Sequence, residues 1–528
     1  MAITPDTNLK LLKCNLNLDE MNQLNFANAT AQYNFFNSLQ QDSKSGATYQ
    51  RKDNVIRYPD HIDSIIEYNY VMYQNHNYTD KWFYAYIVRM EYVNDNMTNI
   101  YIKTDPYQTW QFDITFKRSF VEREHVNDDT IGLHTVPEGL ETGEYINNGD
   151  VIDIPELRDM FIVIGISDYQ TQAQGDITGK MQNGIFSALQ YEAYNTNSQG
   201  LTALNNKLKS YDDAGKASAV YTIFMAPTYL DPHWEASTVA SVLRDNAVVN
   251  SRTISLNKAT TLDSYIPKNN KLKCYPYNYL LVSNNNGGNA TYKYELFNTS
   301  NVTFDLVSCI TTGCSIRIKP IGYNSHGEVQ NTPNNIEGLD LGKYPTCSWI
   351  SDSYTNWLTQ NSVNVGTSIA GSLFQIGLGT ARAVGSGGAD LASVGMIGSG
   401  VLGISNALGS VYQNSLVPDQ AMGNINNGDV ITASGDNTFA FRHMSIKQEY
   451  AKIIDNFFQA FGYKINDVKV PNITGRRNWN YVKTIDCNID GYIPQEDLNE
   501  IKGMFNNGVT IWHNPSTFLD YSQNNDII

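Results

Sequence analysis

The residues best spaced for chemistry lie near the carboxyl end, in "DCNIDGYIPQED" (Asp486 to Asp497). Asp486, Asn488 and Asp490 stand at positions 1, 3 and 5 of a calcium-loop pattern, with Gly491 at 6, Ile493 at 8 and Asp497 at 12. A calcium hand of this kind needs a helix on both sides. Here "NYVKTI" precedes the motif and has strand character, and Pro494 followed by Gln495–Asp497 opens a helix with acids in its first turn. The spacing therefore predicts a turn and a helix start, without a metal. "VEREHV" sets His125 beside Glu122, Arg123 and Glu124, which could do acid–base work, but its alternation predicts a charged network at a strand edge. None of the eight histidines belongs to an HExxH pattern, and "GSGGAD" (385–390) lacks the Lys-Ser/Thr of a phosphate loop. Cysteines stand at 14, 274, 309, 314, 347 and 487 with no CxxC pair. Cys309 and Cys314 are spaced to face each other across a turn at Thr312-Gly313; buried thiols are the expectation for a chain made in a reducing cytosol. No catalytic residue, metal site or cofactor is expected.

The elements that would carry these residues are mainly strands. "KWFYAYIVRMEYVNDNMTNIYIKTD" predicts strands over Trp82–Val93 and Thr98–Lys103 around a turn at Asn94–Asn96. "QTWQFDITFKRSFVEREHV" predicts one alternating strand from Trp110 to Val126, with Phe112, Ile114 and Phe116 on one face. "DMFIVIGISDY" has the continuous apolar character of a buried strand, and Leu201–Tyr211 that of a polar helix. Strand-like runs recur in "YNYLLVSN", "TYKYELFN", "NVTFDLVSC" and "SIRIKPIGY". Towards the end, Tyr450, Ile453, Ile454, Phe457 and Phe461 fall at helical spacing before Gly462. A second helix is expected over Gln495–Phe505, between the strands "NYVKTI" and "VTIWH". The fold class is mainly β with α+β parts, in a multi-domain chain carrying one long hydrophobic loop insertion.

That insertion is unlike the rest. Between Ser353 and Pro418 the charged residues are Arg382 and Asp390 alone, in a chain whose 53 acidic and 37 basic residues give a net charge of −16. Arm one, Val363–Ala381, runs 19 residues without a charge and arm two, Leu391–Tyr412, runs 22. As helices rising ~1.5 Å per residue, either could cross a hydrocarbon core of ~30 Å. Gly395, Ser399, Gly403 and Ala407 form a four-residue repeat of small side chains, the pattern that lets membrane helices approach closely. The apolar positions are Leu373, Phe374, Ile376, Leu378, Val394, Met396, Ile397, Val401, Leu402, Ile404, Leu408 and Val411. Between the arms, Gly385, Gly387 and Gly388 permit a reversal that brings Arg382 and Asp390 together at a tip. The density of large apolar side chains argues against a flexible linker. The twelve glycines between Asn361 and Gln420 argue against a buried helix or strand, and the absence of a basic flank argues against a permanent transmembrane hairpin. What fits is a conditional segment, sheltered in an assembly and able to enter a bilayer. The amino terminus has no apolar core of signal-peptide length, so ordinary secretion is not expected. The acidic balance has the wrong sign for tight binding to nucleic acid.

"KTDPYQTWQFDITFKRSFVEREHVNDD" (Lys103–Asp129) and "NYVKTIDCNIDGYIPQEDLNEIKGMFNNGVTIWH" (Asn480–His513) resemble the tail-knob, or distal-tube, proteins of short-tailed phages (podoviruses) that infect Gram-positive bacteria. The first match rests on Asp105, Gln108, Trp110, Phe112, Asp113 and the run Ser119–His125; the second rests chiefly on "GVTIWH". The resemblance implies a virion protein, made in the host cytoplasm, that assembles as a homohexameric tube at the distal end of the tail with other tail and collar proteins. It implies residues 1–150 as an amino-terminal tube domain, 151–350 as a β-rich middle region, 351–425 as the membrane-active loop, and 426–528 as an α+β segment completing the tube. The loops would plug the tube and then form a channel in the host cytoplasmic membrane. DNA would leave through the lumen without specific binding, past a surface of its own sign. Two other classes fit less of the chain. A cell-wall hydrolase needs an acid–base or Cys/His site that the sequence lacks, and a receptor-binding adhesin leaves the insertion without a role.

Overall fold

A computed structural model describes residues 7–528 except 17, 47, 51–53, 77–78, 167–180, 183–184, 187–189, 215, 217–218, 244–248, 286, 310–313, 325–337, 342–345, 350–420 and 425–437. The described residues are mostly strands in several sheets with few helices, which is the fold class the sequence implies. The chain forms two compact units. One comprises Met1–Gly143, Tyr265–Leu272 and Gln448–Ile528; the other comprises Glu144–Ser264 and Lys273–Lys447.

The first unit contains a seven-stranded antiparallel sheet in the order Gln41–Ser45, Thr7–Leu12, Tyr70–Asn75, Thr79–Asn94, Met97–Thr104, Val55–Tyr58, Thr48–Gln50. Alternation along Tyr70–Asn75 serves two cores, because successive side chains leave opposite faces. Val71 and Tyr73 pack with Leu9, Leu11, Ile56 and Ile100, while Tyr70 and Met72 pack with Phe36, Tyr84, Trp479 and Trp512. The expected hairpin is present, with Asn94 opposite Met97 across its turn.

The expected single strand from Trp110 to Val126 is broken in three. Asp105 accepts the Gln108 amide N–H at 3.1 Å, and Pro106 supplies a fixed φ at the first helical position, so Pro106–Trp110 is a short helix. Strands Ile114–Phe116 and Ser119–Glu124 follow, the second bulged between Val121 and Arg123. Ile114 and Phe116 pack on the core beside Phe505, whereas Phe112 lies 42% exposed in the turn.

Strand Ser119–Glu124 belongs to a five-stranded sheet in the order Asn22–Leu24, Val509–Trp512, Trp479–Ile485, Ser119–Glu124, Tyr463–Lys469, parallel in its first pair and antiparallel elsewhere. Helices Gln448–Phe461 and Gln495–Asn507 belong to the same unit. The first ends, as expected, at Gly462, whose φ of +65° suits glycine. Its buried face differs from the expected one. Ala451, Ile454, Asp455 and Phe458 are inside, and Ile453 is 66% exposed. The rotation follows from Asp455, whose carboxylate accepts from Tyr265 Oη (2.7 Å), the Lys268 N–H (2.8 Å) and both the N–H and Nδ2 of Asn269 (3.1 and 2.7 Å). Segment Tyr265–Leu272 thus covers the side of the helix that a hydrophobic count alone leaves polar.

The second unit is organised around Met160–Ile166, buried along its whole length. It lies in a six-stranded sheet in the order Ala240–Val242, Gln190–Asn195, Met160–Ile166, Val220–Pro227, Thr346–Trp349, Ala421–Asn424. Helix Ser198–Asp213 contains the expected polar helix. Asn301–Cys309 and Ser315–Ile321 pair as a hairpin in which Cys309 stands opposite Ser315 rather than Cys314. "TYKYELFN" is strand only to Tyr292; Tyr294–Leu296 is a single 3₁₀ turn.

Candidate functional site

The segment singled out by its lack of charge lies outside the described residues, including its apolar positions from Leu373 to Val411 and the tip from Arg382 to Asp390. Its two ends are described. Strand Thr346–Trp349 extends the six-stranded sheet through the pairs Phe224↔Thr346, Ile223↔Cys347 and Thr222↔Ser348. Ala421–Asn424 then pairs antiparallel with it, Trp349 opposite Ala421 and Thr346 opposite Asn424. The last described residue before the segment, Trp349, and the first after it, Ala421, therefore stand directly across one ladder. Behind them, Val220–Pro227 and Met160–Ile166 are anchored in a core containing Phe161, Ile162, Ile164, Phe224 and Met225, which makes this edge a firm attachment. No helix among the described residues is long and apolar enough to cross a membrane.

The other motifs have been taken up by the fold. His125 is buried, with Nδ1 accepting the Tyr481 amide N–H at 2.8 Å and Nε2 at 3.0 Å from the Gln459 carbonyl oxygen. The first contact requires a lone pair on Nδ1 and the second a proton on Nε2, so the ring is neutral and both nitrogens are used. Burial, reinforced by the nearby Arg476 guanidinium, pushes its pKa down to about 3. Such a histidine has no nitrogen left for a substrate proton. Its neighbours are similarly committed. Glu124 is buried, taking Lys469 Nζ at 2.6 Å and the Asn472 N–H at 2.8 Å. Glu122 pairs with Lys483 at 2.9 Å. Arg123 donates to the Gly462 carbonyl at 2.7 Å, pairs with the buried Glu138, and lies over the Phe457 ring. The charged network expected around His125 is present, though it is buried on the histidine and Glu124 side rather than confined to an exposed edge.

The calcium-spaced motif is spread over three elements. Asp486 takes a left-handed turn (φ +58°) after strand Trp479–Ile485. Asp490 sits in strand Ile489–Gly491, which pairs with Ile114–Phe116, and lies 3.5 Å from Lys117 Nζ. Asp497 is in the first turn of helix Gln495–Asn507 and accepts the Trp110 indole N–H at 2.8 Å. No group of three or more His, Cys, Asp or Glu among the described residues is placed to hold a metal.

Sequence reasoning missed the Asp105 cluster. This buried carboxylate accepts from Tyr70 Oη at 3.1 Å as well as from Gln108, and Tyr86 also hydrogen-bonds to it. Desolvation outweighs these bonds and raises its pKa to about 6. The pair Asp105-Pro106 was the available signal, being a helix cap followed by its preferred first residue.

Comparison with known proteins bears on the whole chain. Residues 242–526 match the family model for the C-terminal domain of the tail knob protein gp9 of Bacillus phage phi29, and residues 5–116 match one for the N-terminus of caudoviral major tail proteins. Among curated relatives, tail knob protein gp9 of Bacillus phage B103 is 25% identical, with 95% of each chain covered. Those of phages phi29 and PZA are 25% and 26% identical, with each chain covered in full. The structure of the bacteriophage C1 tail knob protein, gp12, superposes with a TM-score of 0.63 at 14% identity, over 99% of this chain and 100% of that one. At that identity the likeness is one of fold. A family match over more than half of the residues, with relatives aligned from end to end, establishes that the chain belongs to the phage phi29 tail knob protein family and is a structural component of a podophage tail rather than an enzyme.

Proposed function

We propose that the chain forms the wall of a distal tail tube, as a homohexamer assembled with other tail and collar proteins, and that its uncharged segment is the membrane-penetrating device. Segments 1–150 and 426–528 contribute to the tube and 151–350 forms its middle region. Residues 351–425 plug the lumen before infection. After release they enter the host cytoplasmic membrane and form the channel through which the genome leaves. The observation that carries this reading is the ladder from Thr346 to Asn424, which holds on adjacent strands the two ends of the stretch containing residues 353–418, where Arg382 and Asp390 are the charged side chains. A loop so attached can exchange one apolar shelter for another without disturbing the sheet. Burying a large apolar side chain is worth ~1.5–3 kcal/mol, and shelter in a lumen or in lipid satisfies the same demand, so a modest difference between the two shifts the balance. The net charge of −16, repeated around a ring, would let DNA pass without sticking.

Negative-stain imaging of the purified full chain tests the assembly. Sixfold rings with a bore wide enough for duplex DNA are the expected result. Compact monomers at every concentration, with or without other tail proteins, would contradict it.

A further inference from the structure

Arg442 lies in strand Ala440–Ile446, two residues beyond Ala440, so both side chains leave the same face of the sheet. Asp153 stands opposite Ala440 in register and is held by Arg158 Nη2 at 2.5 Å. Together with Asn285 and Thr438, these residues line a cleft of about 430 Å³ in the second unit. Charge is unevenly settled there. Asp153 offsets Arg158, whereas Arg442, a partly exposed residue, has a side chain that makes no ion pair or hydrogen bond with any described residue. The other polar side chains are engaged: Asn285 Nδ2 donates to the Thr438 carbonyl at 3.2 Å, and Thr438 Oγ1 donates to that of Ile154 at 3.0 Å.

A guanidinium carries five N–H donors in a rigid fork, and those of Arg442 face the cleft without an acceptor among the described residues. The chain has an excess of carboxylates, yet none of those described is spent on this cation. We infer that the cleft is a receptor for a carboxylate, gripped by Arg442 through paired N–H donors and drawn in by the nearby Arg158. The three ionic groups sum to a single positive charge, which a monoanionic carboxylate matches and a phosphate dianion exceeds. The volume is many times the ~30 Å³ of one water, so the carboxylate can arrive on a larger body, either a free organic acid or an Asp or Glu side chain of a second copy. This inference is independent of the membrane role proposed for residues 351–425.

The test uses the full chain, with sodium acetate as the probe against sodium chloride at equal ionic strength. Acetate is expected to raise the melting temperature of the parent protein by about 2 °C or more. The rise should shrink at least fourfold in Arg442→Gln and fall between the two in Arg442→Lys, which keeps the charge and loses the fork. Equal shifts in the parent and both variants would overturn the inference. Should Arg442→Gln not fold, Arg442→Lys carries the comparison, and an undiminished acetate shift there overturns the paired-donor grip. Sedimentation of the same proteins in chloride separates the two sources. Self-association weakened at least tenfold by the substitution assigns the carboxylate to a second copy. Unchanged self-association with a lost acetate response assigns it to a free acid.

Discussion

His125 and Asp105 are buried titratable side chains that pull the acid response of the protein in opposite directions. The pKa of His125 is about 3 in the folded protein against an ordinary 6.5, so the unfolded chain takes up a proton first as pH falls. Its contribution to stability is complete above pH 6.5 and is lost as pH drops towards 3. His513, pushed down to about 4 by burial, acts in the same sense. Asp105 is reversed: at about 6 against 3.8, the folded state binds the proton first, so stability is gained as pH falls from 6 towards 3.8. Between pH 7 and pH 5, at about 1.4 kcal/mol per pH unit, His125 should cost about 2 kcal/mol and Asp105 return about 1 kcal/mol. Denaturant titrations at pH 7, 6 and 5 should therefore show a shallower loss for His125→Gln than for the parent, and a steeper one for Asp105→Asn. Parallel slopes in all three proteins would show that neither group governs the response. The aspartates of the calcium-spaced motif lead to a second expectation. With Asp490 beside Lys117 and Asp497 bonded to Trp110, millimolar calcium or a chelator should leave the melting temperature within about 1 °C, since a ligand stabilises only by binding the folded state. A rise of several degrees with calcium would reinstate a metal site.

At the scale of elements, the sequence was most legible where one physical signal dominated. The hairpin Thr79–Asn94 with Met97–Thr104 follows from β-branched and aromatic runs around a polar turn, and Met160–Ile166 from a continuous apolar run. The helix Pro106–Trp110 was hidden because its last residue, Trp110, begins an apparent alternation with Phe112, Ile114 and Phe116, while the helix-start signal occupies only Asp105 and Pro106. Helix Gln448–Phe461 was legible in extent but not in orientation. Its rotation depends on hydrogen bonds from Tyr265–Asn269 to Asp455, partners some 190 residues distant along the chain that no local period reveals. Two substitutions distinguish the observed face from the expected one. Ile453→Ser should change stability by no more than about 0.5 kcal/mol, as exposed sites do. Phe458→Ala should cost about 3–5 kcal/mol through the cavity it leaves. The reverse ranking in equilibrium unfolding would restore the apolar face. Gly462→Ala should be severe for a separate reason. At φ +65° its Cβ would stand 2.1 Å from the Glu124 carbonyl oxygen, a backbone atom that cannot swing aside. A loss of more than about 2 kcal/mol, from backbone strain and displaced packing together, is expected; a variant as stable as the parent would mean that the helix does not end in this close approach.

For the molecule as a whole, the fold explains how a chain can carry so foreign a segment. The paired strands Thr346–Trp349 and Ala421–Asn424 bring the two ends of the segment together at a single edge of one sheet. The likeness in fold to the phage C1 tail knob protein, at 14% identity, is in keeping with a scaffold set by patterning more than by particular residues. The segment itself was legible in the sequence as a departure in charge. Its attachment was not, because "TCSW" and "AMGN" are too short and too ordinary to announce that they pair across the residues between them. The division of the chain into discontinuous units was equally hidden: Tyr265–Leu272 carries no compositional mark, and bonds to Asp455, Asp129 and Glu138 are among those that tie it to the unit that holds both chain ends.

The central claim is that residues 353–418 enter bilayers, and dye release from liposomes tests it most directly. The parent protein, triggered to release its loops by mild heating or detergent removal, should empty vesicles. Val401→Asp/Leu402→Asp should release at least tenfold less dye, because two carboxylates near the centre of arm two each cost about 3 kcal/mol in hydrocarbon, and ring assembly should be unchanged. Leakage by the double variant equal to that of the parent would contradict the account.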